Sequence, residues 1–146
     1  MTANPKDLFG SKKLSISAVP HNVLGELAVA MQEGADKYGR HNYRSIPVKA
    51  SIYHDAVFRH MAAWWEGEDI DPDSKLSHIT KAIASLAVLR DAMHRGNWID
   101  DRPQKSAPSW ISDCNAIVEI LAKKYPNPVE PYIHNDKRNS GVNSPS

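Results

Sequence analysis

The sequence predicts an all-α protein, a bundle of about four helices completed by assembly with further copies. Apolar residues return at three- and four-residue steps in four separate stretches, and no convincing hairpin signal lies between them. The second stretch is apolar on more than one side, so a single small bundle covers its aromatic residues poorly. The 146 residues suffice for one domain. The pattern predicts a flexible tail over 1–13, a helical domain over 14–125 and a Pro/Asn/Ser-rich tail over 126–146.

Leu14 to Val19 alternate apolar and small residues and read as an extended segment laid on the body. The first helix follows Pro20, with Leu24, Leu27, Ala28, Met31, Ala35 and Tyr38 on one face, and stops at Gly39. The second runs from about Lys49 to Glu66 and stops at Gly67; it carries Ile52, Tyr53, Ala56, Val57, Phe58, Met61, Trp64 and Trp65. Asp55 and Arg59 form an i,i+4 pair through that apolar surface, which predicts a buried carboxylate. The third is expected to start near Ser74 or Lys75, capped by Asp73 or Ser74, and to end at Gly96. The fourth spans roughly Ser109 to Tyr125.

A net charge of +1 argues against a generic polyanion binder. Cys114, the single cysteine, has no internal disulfide partner, fits a reducing compartment and reads as a buried thiol. No apolar run reaches the roughly 20 residues of a membrane span, and Met1 to Lys13 contains no apolar signal core. The expected setting is the cytoplasm.

Three features carry possible chemistry. Glu66-Gly67-Glu68-Asp69-Ile70-Asp71-Pro72-Asp73 packs five carboxylates into eight residues, which either remain hydrated or share a cation. An EF-hand is excluded: Pro72 interrupts the loop, Ser74 replaces the turn glycine and Thr80 the bidentate glutamate. Asp55 either pairs with Arg59 or joins the acidic loop around a hard cation, and the loop must then fold back about 16 Å or come from another subunit. Glu33, Asp36 and Lys37 share one side of the first helix's end, ahead of Arg40, Asn42 and Tyr43. This is either an exposed last turn or a place where Lys37 and Arg40 meet phosphates while Asn42 or Tyr43 shapes a base pocket. His60 and His78 read as satisfied core or interface histidines, and Trp64 with Trp65 as core or dimer contact rather than a stacking platform.

Taken in order, Gly34-Ala35-x-Lys37-Tyr38-Gly39, Asn42-Tyr43, Asp55-Ala56-x-x-Arg59-His60, Trp64, Gly67-Glu68-Asp69-x-Asp71-Pro72-x-Ser74 and His78 resemble a known family. It is the dATP/dGTP diphosphohydrolase branch of the MazG-like all-α NTP pyrophosphatases, and the likeness covers about residues 13–95. Within that branch the sequence is most similar to the enzymes of phages that replace adenine with 2-aminoadenine. The resemblance implies a helical dimer or tetramer, dependence on Mg²⁺ or Mn²⁺, and cleavage of a purine (deoxy)nucleoside triphosphate, dGTP foremost, to monophosphate and diphosphate. It further implies metal ligands among Asp55, Glu68 and Asp71, then Glu33 and Asp36. Lys37 and Arg59 are expected to stabilise phosphate charge, and His60 or His78 to position phosphate or water. Arg40, Asn42, Tyr43 and Trp64 complete the expected substrate contacts. The family's paired Glu-x-x-Glu and Glu-x-x-Asp motifs occur here only in altered form. Neither a nucleic acid nor a membrane is an expected partner. Two rival readings are a noncatalytic helical phage adaptor and an HD-type phosphohydrolase built on His54-Asp55.

Overall fold

A computed structural model describes residues 2 and 4–139. The chain divides into two compact units, residues 1–103 and 104–146. In the first unit, Asn4 caps a short helix α1 (Pro5–Gly10) by accepting from the Lys6 amide at 3.0 Å. The sequence predicted a loose tail there; α1 forms but buries none of its residues. Instead of an extended segment, Ile16–Ala18 make a 3-10 turn ahead of α2 (His21–Tyr38).

Helix α2 ends because Gly39 adopts φ 90°, a conformation that side-chain-bearing residues avoid, while its amide still closes on Ala35 O. A 3-10 turn, Asn42–Arg44, follows and is fastened to the later chain: the Arg44 guanidinium forks onto the Asp91 carboxylate at 2.9 and 2.7 Å. Next come β1 (Val48–Lys49), α3 (Ala50–Trp65), α4 (His78–His94) and β2 (Trp98–Ile99). The strands pair in parallel, Val48 with Trp98 and Lys49 with Ile99, and the α3–α4 pair forms the crossover. Sequence reading did not anticipate this ladder, since two residues are too short to show alternation.

Helix α4 is central, packing on both α3 and α2. The contacts are built from small residues: Ala30 of α2, Ala50 of α3, and Ala82 and Ala92 of α4 are buried. None of the large side chains among the described residues is fully buried. The outer side of α3 leaves Ile52, Phe58 and Trp65 exposed, and Leu86 of α4 likewise.

The start of α4 differs from expectation. It begins at His78 behind the N-cap Ser77, whose hydroxyl accepts from Ile79 N. Asp71 explains the shift: its carboxylate captures both the Ser74 amide, at 3.2 Å, and the Ser74 hydroxyl, at 2.6 Å. That local turn competes with helix for residues 71–75. The acidic segment is therefore a closed loop, with Asp71 N donating to Leu76 O and an antiparallel bridge joining Ile70 to Ser77.

The second unit contains α5 (Trp110–Lys124), where Ser109 Oγ donates to Asp113 at 2.9 Å. Cys114 on α5 is exposed, not buried as its apolar surroundings in sequence suggested. Downstream, Arg138 donates to Asp136 and lies 4.0 Å over the Tyr132 ring. Part of the predicted C-terminal tail, 140–146, lies outside the described residues. No helix among the described residues is long and apolar enough to cross a membrane.

Candidate active site

The first unit holds a half-open cleft of about 400 Å³ between α2, the Asn42–Arg44 turn, α3 and α4. Tyr38, Tyr43 and Tyr53 supply flat aromatic surface, Asn42 an amide, and Arg40 and Lys81 positive charge. The turn is set by backbone: Gly39 stops α2, and His41 takes a left-handed φ of 61°, unusual for a residue with a side chain. Asn97 Nδ2 then donates to Tyr43 O at 3.0 Å and holds the turn to the far end of α4. Burial raises the Tyr53 phenol above its ordinary value, so it stays a neutral hydroxyl.

Glu33 organises the charge behind the cavity residue Lys81. Its Oε1 accepts from Lys37 Nζ at 2.7 Å and its Oε2 from Lys81 Nζ. Lys37 first and Lys81 second hold the Glu33 carboxyl below the ordinary glutamate range. One carboxylate thus bridges two ammonium groups. Lys37 also approaches Asp73 at 3.6 Å. Nearby, Gln32 donates to Asp36 at 2.7 Å and accepts from Arg40 at 3.2 Å. Because its folded pKa is depressed, Glu33 stabilises the fold above the unfolded glutamate value of about 4.3 and loses that effect as pH falls through the lower folded value. Thermal unfolding followed from pH 7 to 3 is expected to show a shallower acid decline for Glu33→Gln than for the parent. Parallel declines would refute this.

One helical turn from Lys81, a second cluster joins α3, α4 and the acidic loop. His60 Nδ1 and His78 Nδ1 are 2.9 Å apart, and His78 Nε2 lies 2.7 Å from Glu68 Oε1. His78 is buried, whereas the Glu68 side chain is half exposed. Burial foremost, then the neighbouring His78, lowers the His60 pKa, with Asp71 pulling the other way. The Ser74 hydroxyl keeps the Asp71 carboxyl below its usual range. Gly67, at φ 100°, makes the turn that returns Glu68 toward α4.

The fold therefore gathers Arg40, Asn42 and Tyr43 at the cavity, Glu33, Asp36 and Lys37 in a separate shallow pocket joined to it through the Glu33–Lys81 ion pair, and His60, His78 and Glu68 in one hydrogen-bonded chain. Asp55 was expected on a buried surface, paired with Arg59 or with the loop. Its side chain is instead exposed and meets His54 Nδ1 at 3.1 Å. Arg59 is exposed on the same outer side of α3. Trp64 lies at the end of α3 with its ring centroid 6.1 Å from that of Trp65, and it does not line the cavity. Sequence reading missed Lys81, Tyr38 and Tyr53 as cavity residues, and Thr80, whose hydroxyl donates to Glu26 at 2.7 Å. Lys81 was legible in principle, standing one turn after His78 on the same helix.

The carboxylates do not fit a divalent metal ion as they stand. Among the described residues, no three His, Cys, Asp or Glu side chains converge on a metal position. Two lysines occupy Glu33, Ser74 holds Asp71, His78 engages Glu68, and Asp55 points outward.

Comparison with known proteins gives one family. The sequence model described as dATP/dGTP diphosphohydrolase, N-terminal, matches residues 3–102, coinciding with the first compact unit. No curated protein and no solved structure matches the chain.

Proposed function

Because the chain belongs to the dATP/dGTP diphosphohydrolase family, we propose that it hydrolyses a purine (deoxy)nucleoside triphosphate, dGTP foremost, to monophosphate and diphosphate. The observation that carries this reading is the cavity, where tyrosine walls and the Asn42 amide stand beside Arg40 and Lys81. Flat aromatic surface suits a base, and fixed cations suit a phosphate chain. In this reading Tyr43, Tyr53 and Asn42 hold the nucleoside. Arg40, Lys37 and Lys81 meet the phosphates, the two lysines exchanging Glu33 oxygens for phosphate oxygens. His60 and His78 face the reacting end.

Mg²⁺ or Mn²⁺ belongs to the proposal through the family resemblance, although the carboxylates of one chain do not by themselves fit such an ion. Asp36, and Asp55 contributed by a neighbouring copy, would be the carboxylates offered to it. Arg59 and Trp64, which stand apart from the cavity, would act at the edge of such an assembly. A homo-oligomer is proposed because α3 leaves its large apolar residues uncovered. In a phage carrying 2-aminoadenine, the product dGMP would supply synthesis of that nucleotide.

The test is to incubate the full chain with each of the eight common NTPs and dNTPs, with Mg²⁺ or Mn²⁺, and identify the products. The expected result is dGMP plus diphosphate from dGTP. Release of nucleoside plus triphosphate, or of nucleoside diphosphate plus phosphate, would overturn the reading, as would no turnover of any nucleotide.

A further inference from the structure

We propose that Gly34 sets the width of the cleft at its nucleoside end, and so favours a two-ring purine base over a one-ring pyrimidine. Gly34 stands inside α2 (His21–Tyr38), away from both ends. Glycine there weakens a helix relative to alanine, because more backbone freedom is lost on folding. Two structural reasons ordinarily keep a glycine in such a place: a backbone angle closed to other residues, or a neighbour too close for a side chain. Neither applies. The positive φ values of the described residues fall at His41, Lys75, Gly39, Gly67 and Gly96, not at Gly34. A Cβ placed on Gly34 would meet no atom of the described residues within 4 Å, beyond its chain neighbours and the backbone of its own helix. The space over Gly34 is open, and it belongs to the cleft that Gly34 lines.

The neighbours indicate what that space can take. Residues four apart share one face of a helix, so Ala30, Gly34 and Tyr38 form a column, and all three line the cleft. Ala30 is buried, Gly34 half-buried and Tyr38 exposed, which puts Gly34 where this face leaves the core. Met31, one turn before it, lines the cleft as well. A side chain at position 34 would cover the turn ahead of its own Cα and fill the inner part of the cleft first. Ala30, Met31 and the Tyr38 ring suit the face of a base, whereas a phosphate chain finds its partners in Arg40 and Lys81. A purine's second ring fills the space over Gly34. A pyrimidine leaves part of it empty and forfeits those contacts. This specificity rests on the triphosphate reading of the cleft.

The experiment uses the full chain with Gly34→Ala, Gly34→Leu and, as a control, Gly25→Ala. Gly25 is a second open glycine inside α2, and it does not line the cleft. Thermal melts, the KM of dGTP, and the Ki of dCTP as a competitor of dGTP turnover are measured for each. Both alanine variants are expected to melt about 2–8 °C above the parent, since alanine loses less freedom in a helix. Gly34→Ala should raise the KM of dGTP about 10-fold and Gly34→Leu about 200-fold, the span for a methylene too many in a fitted pocket. The Ki of dCTP should rise less, so that its ratio to the KM of dGTP falls at least about fivefold in Gly34→Leu. Gly25→Ala should leave both constants as in the parent.

A smaller fall in that ratio would overturn the proposal and leave the triphosphate reading standing. So would a Gly34→Ala protein that melts below the parent while Gly25→Ala does not, because position 34 would then be packed rather than open. A parent protein that turns over no nucleotide would overturn the proposal and the triphosphate reading together.

Discussion

Replacing Lys81 with Met is expected to reduce kcat/KM for the triphosphate by about 10²- to 10³-fold, the usual consequence of removing one fixed donor from charge developing in a protected site. Lys81 lies on the cavity wall with only 20% of its side chain exposed, and Glu33 holds its ammonium in place. Methionine keeps most of the aliphatic stem and deletes the charge, so the packing of α2 on α4 should survive. Glu33 would still be paired with Lys37. Lys81→Arg should recover part of the rate, since it restores charge with different geometry. Steady-state kinetics at saturating divalent metal, together with a thermal melt, decides the matter. A Lys81→Met enzyme with normal folding and turnover within twofold of the parent would remove Lys81 from the site.

The second large effect concerns assembly. Light scattering of the parent protein is expected to give a multiple of the 16.3 kDa chain mass, and Phe58→Glu to return it to one chain. Phe58 is 66% exposed and Trp65 78% exposed on the outer side of α3, within a unit whose buried core consists mainly of alanines. Were that side solvated in the working protein, the substitution should change stability by no more than about 0.5 kcal/mol. At an interface centre, a desolvated glutamate should cost 2 kcal/mol or more and dissociate the complex. A parent protein that is one chain at all concentrations would end the oligomer reading.

Helices were the legible part of this sequence, because α2, α3, α4 and α5 each sustain a three- to four-residue apolar period. What a period does not encode is which flank is covered. Phe58 and Val57 look alike in sequence, yet only Val57 turns toward the body. The start of α4 was misjudged for a local reason: Asp71 outcompetes helix for the Ser74 backbone, a choice that depends on loop closure rather than propensity. At the site, Arg40, Asn42 and Tyr43 could be anticipated because they are contiguous. The Glu68–His78–His60 chain and the link from Glu33 to Lys81 could not, since each joins residues from separate elements, whereas the Glu33–Lys37 pair lies on one helix face and was legible. Asp55 misled for the converse reason. Its apolar neighbours in sequence implied burial, but the helix turns it outward beside His54.

The two-residue ladder between β1 and β2 has a kinetic consequence. Pairing Val48 with Trp98 closes a loop that contains all of α3 and α4. Closing so long a loop carries an entropic cost that few hydrogen bonds offset, so the ladder is expected to depend on the prior docking of the two helices. Docking also brings Asn97 into reach of Tyr43. The Asn42–Arg44 turn is thus tied through Asn97 to the docked helices, so a substitution that loosens the α3–α4 contact is expected to reshape the cavity even when no cavity residue is touched.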